Sequence, residues 1–199
     1  MKKIAVLLTV GLMLAGCNKN DDDIEPIIEP HDGKIIASVN GGIEFGEYHS
    51  VVAVKAISYY YFDFNELYDR VIETIEFVNG GFTINLPETV SDEYLVKFSD
   101  IHPNSVVSDA NAKVTEVAFF ACNNEGLFVD FLVYGNYKIN RRFEGKFWYS
   151  DRDFTFKHEY RNSSCSLKRG WNIEYWRKVN KKEIEDMTWR FYSTIPKFD

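Results

Sequence analysis

The sequence has none of the short motifs that identify common catalytic and nucleotide-binding sites. Its 199 residues contain no nucleophile elbow, no phosphate-binding glycine loop, no paired histidines at zinc-ligand spacing and no Cys-x-x-Cys. The histidines are four and scattered: His31, His49, His102 and His158. A lone histidine is more often a surface or hydrogen-bonded residue than a base or metal ligand. The sequence therefore predicts a protein that is not an enzyme and needs no cofactor or metal.

Positive charge is also scarce. There are 23 Lys and Arg residues against 30 Asp and Glu, which gives a formal net charge of −7. Nucleic-acid phosphates would be repelled by such a chain, so nucleic acid is excluded as a partner. The composition is 45% apolar and 16% aromatic. It is too apolar for disorder, and the chain is long enough for one large or two small cored domains.

A single long apolar run lies near the start of the sequence. Lys2 and Lys3 precede the run Ile4 to Leu14, and Leu14-Ala15-Gly16-Cys17 closes it. This order is typical of a secretory signal and is too short to span a bilayer. The last four residues resemble a bacterial lipobox. That resemblance implies cleavage of a signal peptide, residues 1–16, and lipidation of Cys17. An ordinary signal peptide, or an uncleaved anchor with a chance cysteine, is the alternative.

Residues 17–33 have the composition of a flexible tether. Acidic clusters and two prolines occur here without periodicity, which favours an extended, solvated segment. Residues Lys19 to Asp23, KNDDD, resemble the acidic tract of surface-exposed lipoproteins from Bacteroides-type bacteria. The resemblance implies a location in the cell envelope, at the outer membrane, with acyl chains on Cys17 as the membrane anchor and surface exposure preferred.

Two cysteines remain if Cys17 carries lipid. Cys122 and Cys165 are candidates for a disulfide, because the cell envelope is oxidising enough for one. The alternative is that both are half-buried thiols that pack as small hydrophobic side chains.

Beyond the tether, the pattern is that of an all-β protein. Short runs rich in Val, Ile, Phe, Tyr and Thr are separated by Gly, Asn, Asp, Pro and Ser. The predicted strands are Lys34–Val39, Ser50–Tyr60, Arg70–Val78, Phe82–Leu86, Tyr94–Phe98, Lys113–Cys122, Leu127–Tyr134, Arg142–Tyr149, Asp153–Tyr160, Trp171–Val179 and Met187–Thr194. Asn79-Gly80-Gly81 predicts a hairpin between the third and fourth of these. Asp63 to Thr74 is compatible with a helical start instead.

The first half of the chain resembles a known sandwich. Residues 34–41, KIIASVNG, residues 51–56, VVAVKA, and residues 80–87, GGFTINLP, are similar to transthyretin-like domains of the carboxypeptidase-regulatory type. This resemblance implies an antiparallel β-sandwich over residues 34–100. Residues 101–112 then read as a connecting loop, and residues 113–199 as a second antiparallel β part.

Asp151-Arg152-Asp153 offers two carboxylates directly after a predicted strand. Alternation would place them on one side, where they could contribute to a calcium site. A calcium loop normally contains more acids and a glycine. The favoured interpretation is therefore a turn in which the aspartates accept backbone N–H groups and Arg152 pairs with an acid.

The aromatic residues are the best indication of a binding surface. Strand alternation places Trp148 with Glu144 and Lys146, Trp176 among polar residues, and Tyr192 beside Arg190. If the strands are neighbours, Trp148, Trp176 and Tyr192 would form a stacking platform for a sugar or peptide. The alternative is that they are structural aromatics, paired across strands or covered by a second layer.

These observations together predict an envelope lipoprotein that binds a polysaccharide or, second, another envelope protein. One rival is a structural or adhesive subunit that associates through unpaired strand edges. The other rival is a hydrolase whose site residues meet only in space.

Overall fold

The computed structural model describes residues 27–40, 51–59, 69–136, 143–158, 164–175 and 181–192. The predicted signal peptide and Cys17 lie outside these ranges. The strands are β1 (Ile27–Pro30), β2 (Lys34–Asn40), β3 (Ala53–Ser58), β4 (Val71–Glu76), β5 (Gly81–Asn85), β6 (Val96–Lys97), β7 (Ser105–Val107), β8 (Lys113–Cys122), β9 (Phe128–Asn136), β10 (Phe143–Ser150), β11 (Phe154–His158), β12 (Cys165–Leu167), β13 (Gly170–Tyr175) and β14 (Thr188–Phe191). Two short helices are α1 (Phe98–Ile101) and α2 (Lys181–Glu185).

The predicted all-β class is confirmed. An 11-stranded curled sheet follows the order β1-β13-β10-β8-β9-β14-β2-β5, with β3, β4 and β6 branching from it, and β12-β11-β7 form a second, smaller sheet. Among the described strands, all pairs are antiparallel except one. β14 and β2 pair in parallel through Trp189↔Val39 and Arg190↔Asn40, so the main sheet is mixed rather than purely antiparallel as predicted.

Strand β8 is the centre of the main sheet. One edge pairs with β10 through residues 114–117 and then with β9 through residues 119–122, while the other edge pairs with β6 and β3. Its side chains are buried on both faces. Val117 and Phe119 belong to the main core, whereas Val114 and Phe120 pack in clusters on the opposite face. This two-sided burial explains the continuous apolar run in its sequence.

The small sheet packs on the outer face of the large one. Its strands contribute Phe154, Phe156 and Leu167 to a cluster that also contains Phe98 of α1 and Trp148 of β10. The main core lies on the other face of the large sheet, inside its curl. Part of the outer face is therefore covered by a second layer.

The predicted hairpin at Asn79-Gly80 requires correction. The tight turn is present, because Asn79 and Gly80 have φ values of 52° and 76°, and Val78 and Gly81 exchange backbone hydrogen bonds of 2.9 and 3.0 Å. Beyond that turn the strands separate, since β4 pairs with β3 whereas β5 pairs with β2. Phe77 is buried in the core and its amide donates to the Val52 carbonyl, so the chain leaves the β4 ladder before the turn.

Three predicted boundaries also change. Residues 27–30 are not tether but form β1, which pairs with β13. The predicted strand at Tyr94–Phe98 shrinks to β6 between a 3₁₀ turn and α1. The loop at residues 101–112 contains β7 and does not separate two sheets, because β3 pairs with β8 and β2 with β14. The helical start allowed at Asp63 or Asn65 lies outside the described residues; in the part that is described, Val71–Glu76 is a strand.

Candidate functional site

The main sheet forks where β8, β9 and β10 meet, and the fork opens a cleft that reaches from the outer face to main-core residues such as Phe119 and Trp189. β10 pairs with β8 over residues 147–150 but with β9 over residues 143–145, so the three strands diverge between these contacts. Gly145 lies at the divergence, where a Cβ atom would come within 3.0 Å of the Tyr134 ring. The cavity at the fork measures about 380 Å³. We name it the outer cleft; its charged lining residues are Glu116, Glu144 and Lys146, and its aromatic lining includes the exposed Tyr59 and Tyr192 and the half-buried Phe131.

A partly buried ion pair lies in the outer cleft. Lys146 Nζ is 3.1 Å from Oε1 of Glu116 and donates to Oε2 at 3.3 Å. Burial raises the pKa of the Glu116 carboxyl; Lys146 opposes this effect, and the nearby Glu144 carboxylate adds to it. The ammonium carries N–H donors and the carboxylate carries acceptor oxygens, so the pair presents both kinds of hydrogen-bonding group inside one cavity.

A row of aromatic rings crosses the outer face beside the ion pair. Ring centroids are 6.4 Å apart for Tyr59 and Phe120, 4.5 Å for Phe120 and Phe131, and 6.2 Å for Phe131 and Tyr192. Phe120 is buried, whereas the two ends of the row are open: Tyr59 is 41% exposed and Tyr192 is 51% exposed. The cleft thus has two accessible tyrosine rings held in place by a packed aromatic base.

The exposed position predicted for Trp148 is wrong. Alternation assigned it correctly to the face of Lys146, yet it is only 5% exposed, because the small sheet and α1 cover that part of the face. Its indole Nε1 donates a 3.0 Å hydrogen bond to Oε2 of Glu174. Trp148 is not among the residues that line the outer cleft, so the structure does not join it to Tyr192. Trp176 lies outside the described residues.

The possible disulfide between Cys122 and Cys165 is not formed. Both are buried thiols, Cys122 at the end of β8 and Cys165 in the cluster under the small sheet. They pack as small hydrophobic side chains, as the alternative proposed, but they are buried rather than half-buried. Burial raises the pKa of the Cys122 thiol, with Lys55 opposing the effect.

The Asp151-Arg152-Asp153 segment makes the contacts expected of a turn. Asp151 Oδ1 accepts the Lys113 amide at 2.9 Å, and Arg152 pairs with Asp151 at 2.8 Å and with Asp109 at 3.2 Å. Asp153 accepts the Arg169 amide at 2.8 Å. These carboxylates are therefore used to hold loops together.

Sequence reasoning missed Tyr59, Glu116 and Phe131 of the outer cleft. Tyr59 belongs to a run of three tyrosines that directly follows β3, and this run is the signal that was available. Glu116 is the one acid within the apolar run of β8, which also marks it as unusual. Tyr59 and Glu116 come close to Tyr192 only through pairing of strands that are distant in the sequence. No local sequence pattern indicates this proximity.

Within the described part of the chain, no group of three or more His, Cys, Asp and Glu side chains has the geometry to hold a metal ion. No helix in the described ranges has the length and hydropathy needed to cross a bilayer. Comparison with known proteins found no matching family model, no matching curated protein and no matching solved structure.

Proposed function

We propose that this protein is a lipid-anchored protein of the bacterial cell envelope that binds carbohydrate in the outer cleft. The observation that carries the proposal is the pair of exposed tyrosines, Tyr59 and Tyr192, on the border of a cavity that contains the Glu116–Lys146 ion pair. Binding is proposed without catalysis and without nucleic acid as a partner.

The tyrosine rings supply the apolar half of such a site. A sugar ring has C–H groups on one face, which stack on a flat aromatic surface and remove both from water. Tyr59 and Tyr192 are joined to the packed Phe120 and Phe131, so their rings are supported from below. A supported ring loses less conformational entropy on binding than a mobile one, which favours affinity.

The charged residues supply the polar half. Sugar hydroxyls act as both donors and acceptors, and the outer cleft offers an ammonium at Lys146 and carboxylates at Glu116 and Glu144. Hydrogen bonds to charged groups contribute about 1.5–3 kcal/mol each, so two or three of them with one stacked ring are sufficient for a weak, specific glycan site.

The anchor part of the proposal rests on the sequence Leu14-Ala15-Gly16-Cys17 and its resemblance to a lipobox. Two or three acyl chains on Cys17, at about 0.8 kcal/mol per buried methylene, would hold the folded part at a membrane. The acidic residues Asp21 to Asp23 support display at the cell surface, where polysaccharides are met.

A glycan array tests the binding proposal. The wild-type protein is expected to bind a subset of polysaccharides, and Tyr192→Ala and Tyr59→Ala are each expected to abolish or strongly reduce that binding. Val106→Ala is the matched control, because Val106 is exposed on β7, in the small sheet. Wild-type binding to no glycan would overturn the proposal, and so would equal binding by all variants. Release of sugar from a bound glycan would contradict the proposal that the protein has no catalytic activity.

A structural or adhesive role is the second candidate. β7 is the last strand of the small sheet in the order β12-β11-β7, and Val106 on it is 76% exposed. An apolar strand at the border of a sheet can add a strand from another chain. Analytical ultracentrifugation separates the two roles, since the adhesive subunit would assemble with rising concentration and lose this assembly in Val106→Lys.

A further inference from the structure

A second cavity lies next to the outer cleft, and Tyr134, Phe147 and Trp189 line both. It occupies the space between β2 on one side and β13 and β14 on the other, where β14 pairs with β2 through only two residues. Its volume is about 410 Å³, which is within the range of small-molecule sites. We name it the inner cavity; its lining includes His31, Lys34, Tyr134, Phe147, Tyr175 and Trp189.

The inner cavity is lined by hydroxyl groups that have no protein partner among the described residues. Tyr175 is only 5% exposed, and its hydroxyl makes no hydrogen bond to any residue that the structure describes; the same is true of the Tyr134 hydroxyl. Neither hydroxyl oxygen is a fully buried atom without a partner, so both are reached by solvent and are open to a ligand in the cavity. Burial raises the pKa of Tyr175 to about 12, with smaller effects from Tyr134 and Glu29, so this hydroxyl keeps its proton and remains a donor at neutral pH.

His31 adds a further donor at this cavity. The Gly33 amide donates to Nδ1 of His31 at 3.0 Å, so the neutral imidazole carries its proton on Nε2. Burial lowers the pKa of His31, against a smaller opposing effect of Asp32, which keeps the ring neutral at pH 7. Among the described residues, Nε2 has no hydrogen-bond partner.

One wall of the inner cavity is flat and aromatic. Trp189 stacks on Phe147 with centroids 5.9 Å apart and planes inclined by 17°, and on Tyr134 at 5.3 Å and 29°. Such a wall favours a planar apolar group over a branched one. Lys34 supplies a positive charge, and the described lining includes no Asp or Glu. Asp32 and Glu29 lie close by but outside the lining, so the charge on the lining itself is that of Lys34, which favours an anionic ligand.

We propose that the inner cavity is a binding site for a small aromatic carboxylate. The aromatic ring of the ligand lies against Trp189 and its neighbours, and the carboxylate oxygens accept hydrogen bonds from the Tyr175 hydroxyl, His31 Nε2 and Lys34. This ligand differs in chemistry from the glycan, and the residues that bind its carboxylate, His31, Lys34 and Tyr175, line only the inner cavity, so neither proposal depends on the other.

Isothermal titration with 1-naphthoate tests this site, with 1-naphthalenemethanol as the uncharged comparison. The wild-type protein is expected to bind 1-naphthoate saturably at concentrations up to about 1 mM and the alcohol more weakly. Tyr175→Phe removes a single hydroxyl and is expected to weaken 1-naphthoate about three- to tenfold. Lys34→Gln is expected to weaken 1-naphthoate but leave the alcohol unchanged, and Tyr192→Ala is expected to change neither affinity.

Thermal melting of each variant checks that it is folded, and the exposed Lys34 keeps the test decisive if Tyr175→Phe is unstable. Absence of saturable 1-naphthoate binding would overturn the proposal. It would also be overturned by binding that both Tyr175→Phe and Lys34→Gln leave unchanged, because the ligand would then lie elsewhere. Loss of glycan binding in Tyr192→Ala with 1-naphthoate binding intact separates this site from the outer cleft.

Discussion

Trp148 and Glu174 lie on neighbouring strands, and the indole N–H of Trp148 donates a 3.0 Å hydrogen bond to the Glu174 carboxylate. The ring itself packs with Phe98, Phe154 and Phe156 under the small sheet. Trp148 shares a strand face with polar residues because its N–H group binds the Glu174 carboxylate. The apolar surface of its ring packs between the two sheets. This relationship gives Trp148 a structural role.

Trp148→Ala is accordingly expected to lower the free energy of unfolding by about 3–5 kcal/mol, because it leaves a cavity between the sheets. Trp148→Phe should cost less, since it keeps most of the packing and loses mainly the hydrogen bond. Denaturant unfolding measures both. A loss below about 1 kcal/mol for the alanine variant would show that the ring is not a packing residue.

The turn at Asn79 and Gly80 predicts a second effect on stability. Gly80 has a φ of 76°, and no atom lies within 4 Å of a Cβ atom built there, so strain in the backbone is the main cost of a substitution. Gly80→Val is expected to destabilise the protein by about 1–3 kcal/mol. Gly80→Asn is the control, because asparagine tolerates positive φ and should cost much less. Equal melting temperatures for Gly80→Val and wild type would contradict this turn geometry.

The raised pKa of Glu116 predicts a specific pH dependence. The folded protein holds this proton more tightly than the unfolded chain does, so the contribution of Glu116 to stability is fully present below its unfolded pKa and is lost as the pH rises through its folded pKa. The difference in unfolding free energy between wild type and Glu116→Gln should therefore decrease as the pH rises from about 4. Denaturant unfolding at a series of pH values measures it. A difference that grows with pH would be inconsistent with a raised pKa.

The proposed anchor predicts the behaviour of Cys17→Ala. Because the Cys17 thiol is the acyl acceptor in the lipobox interpretation, this variant should incorporate no labelled palmitate and should be released from the membrane fraction. Alanine at Asp21, Asp22 and Asp23 should reduce surface exposure and leave lipid labelling intact. Palmitate incorporation into Cys17→Ala would end the lipoprotein interpretation.

How far the sequence predicts the fold depends on how local each feature is. The bounds of β8, Lys113–Cys122, match the prediction, because a strand buried on both faces has a continuous apolar run. The turn at Asn79-Gly80 was also predicted, since positive φ is a local demand. The pairing partners of β4 and β5 were not predicted, because they are strands that lie far away in the sequence. The transthyretin-like character of residues 34–100 stays a prediction.

The same limit applies to the outer cleft. Strand alternation placed Lys146 and Trp148 on the same face, and the structure agrees. No local sequence pattern shows that the small sheet covers Trp148 and leaves Lys146 accessible from the fork. The ion pair joins Glu116 and Lys146 across two strands that are distant in sequence. Such contacts follow from the register of the sheet, which periodicity alone does not specify.

The most direct test of glycan binding in the outer cleft is an NMR titration of the protein with ¹³C-labelled tyrosine, using the polysaccharide selected on the array. Tyr59 and Tyr192 line the cleft, whereas Tyr149 is buried in the main core and serves as the internal reference. The ring resonances of Tyr59 and Tyr192 are predicted to shift in proportion to bound ligand while those of Tyr149 stay in place. Saturable binding with both cleft tyrosines unshifted would contradict the account.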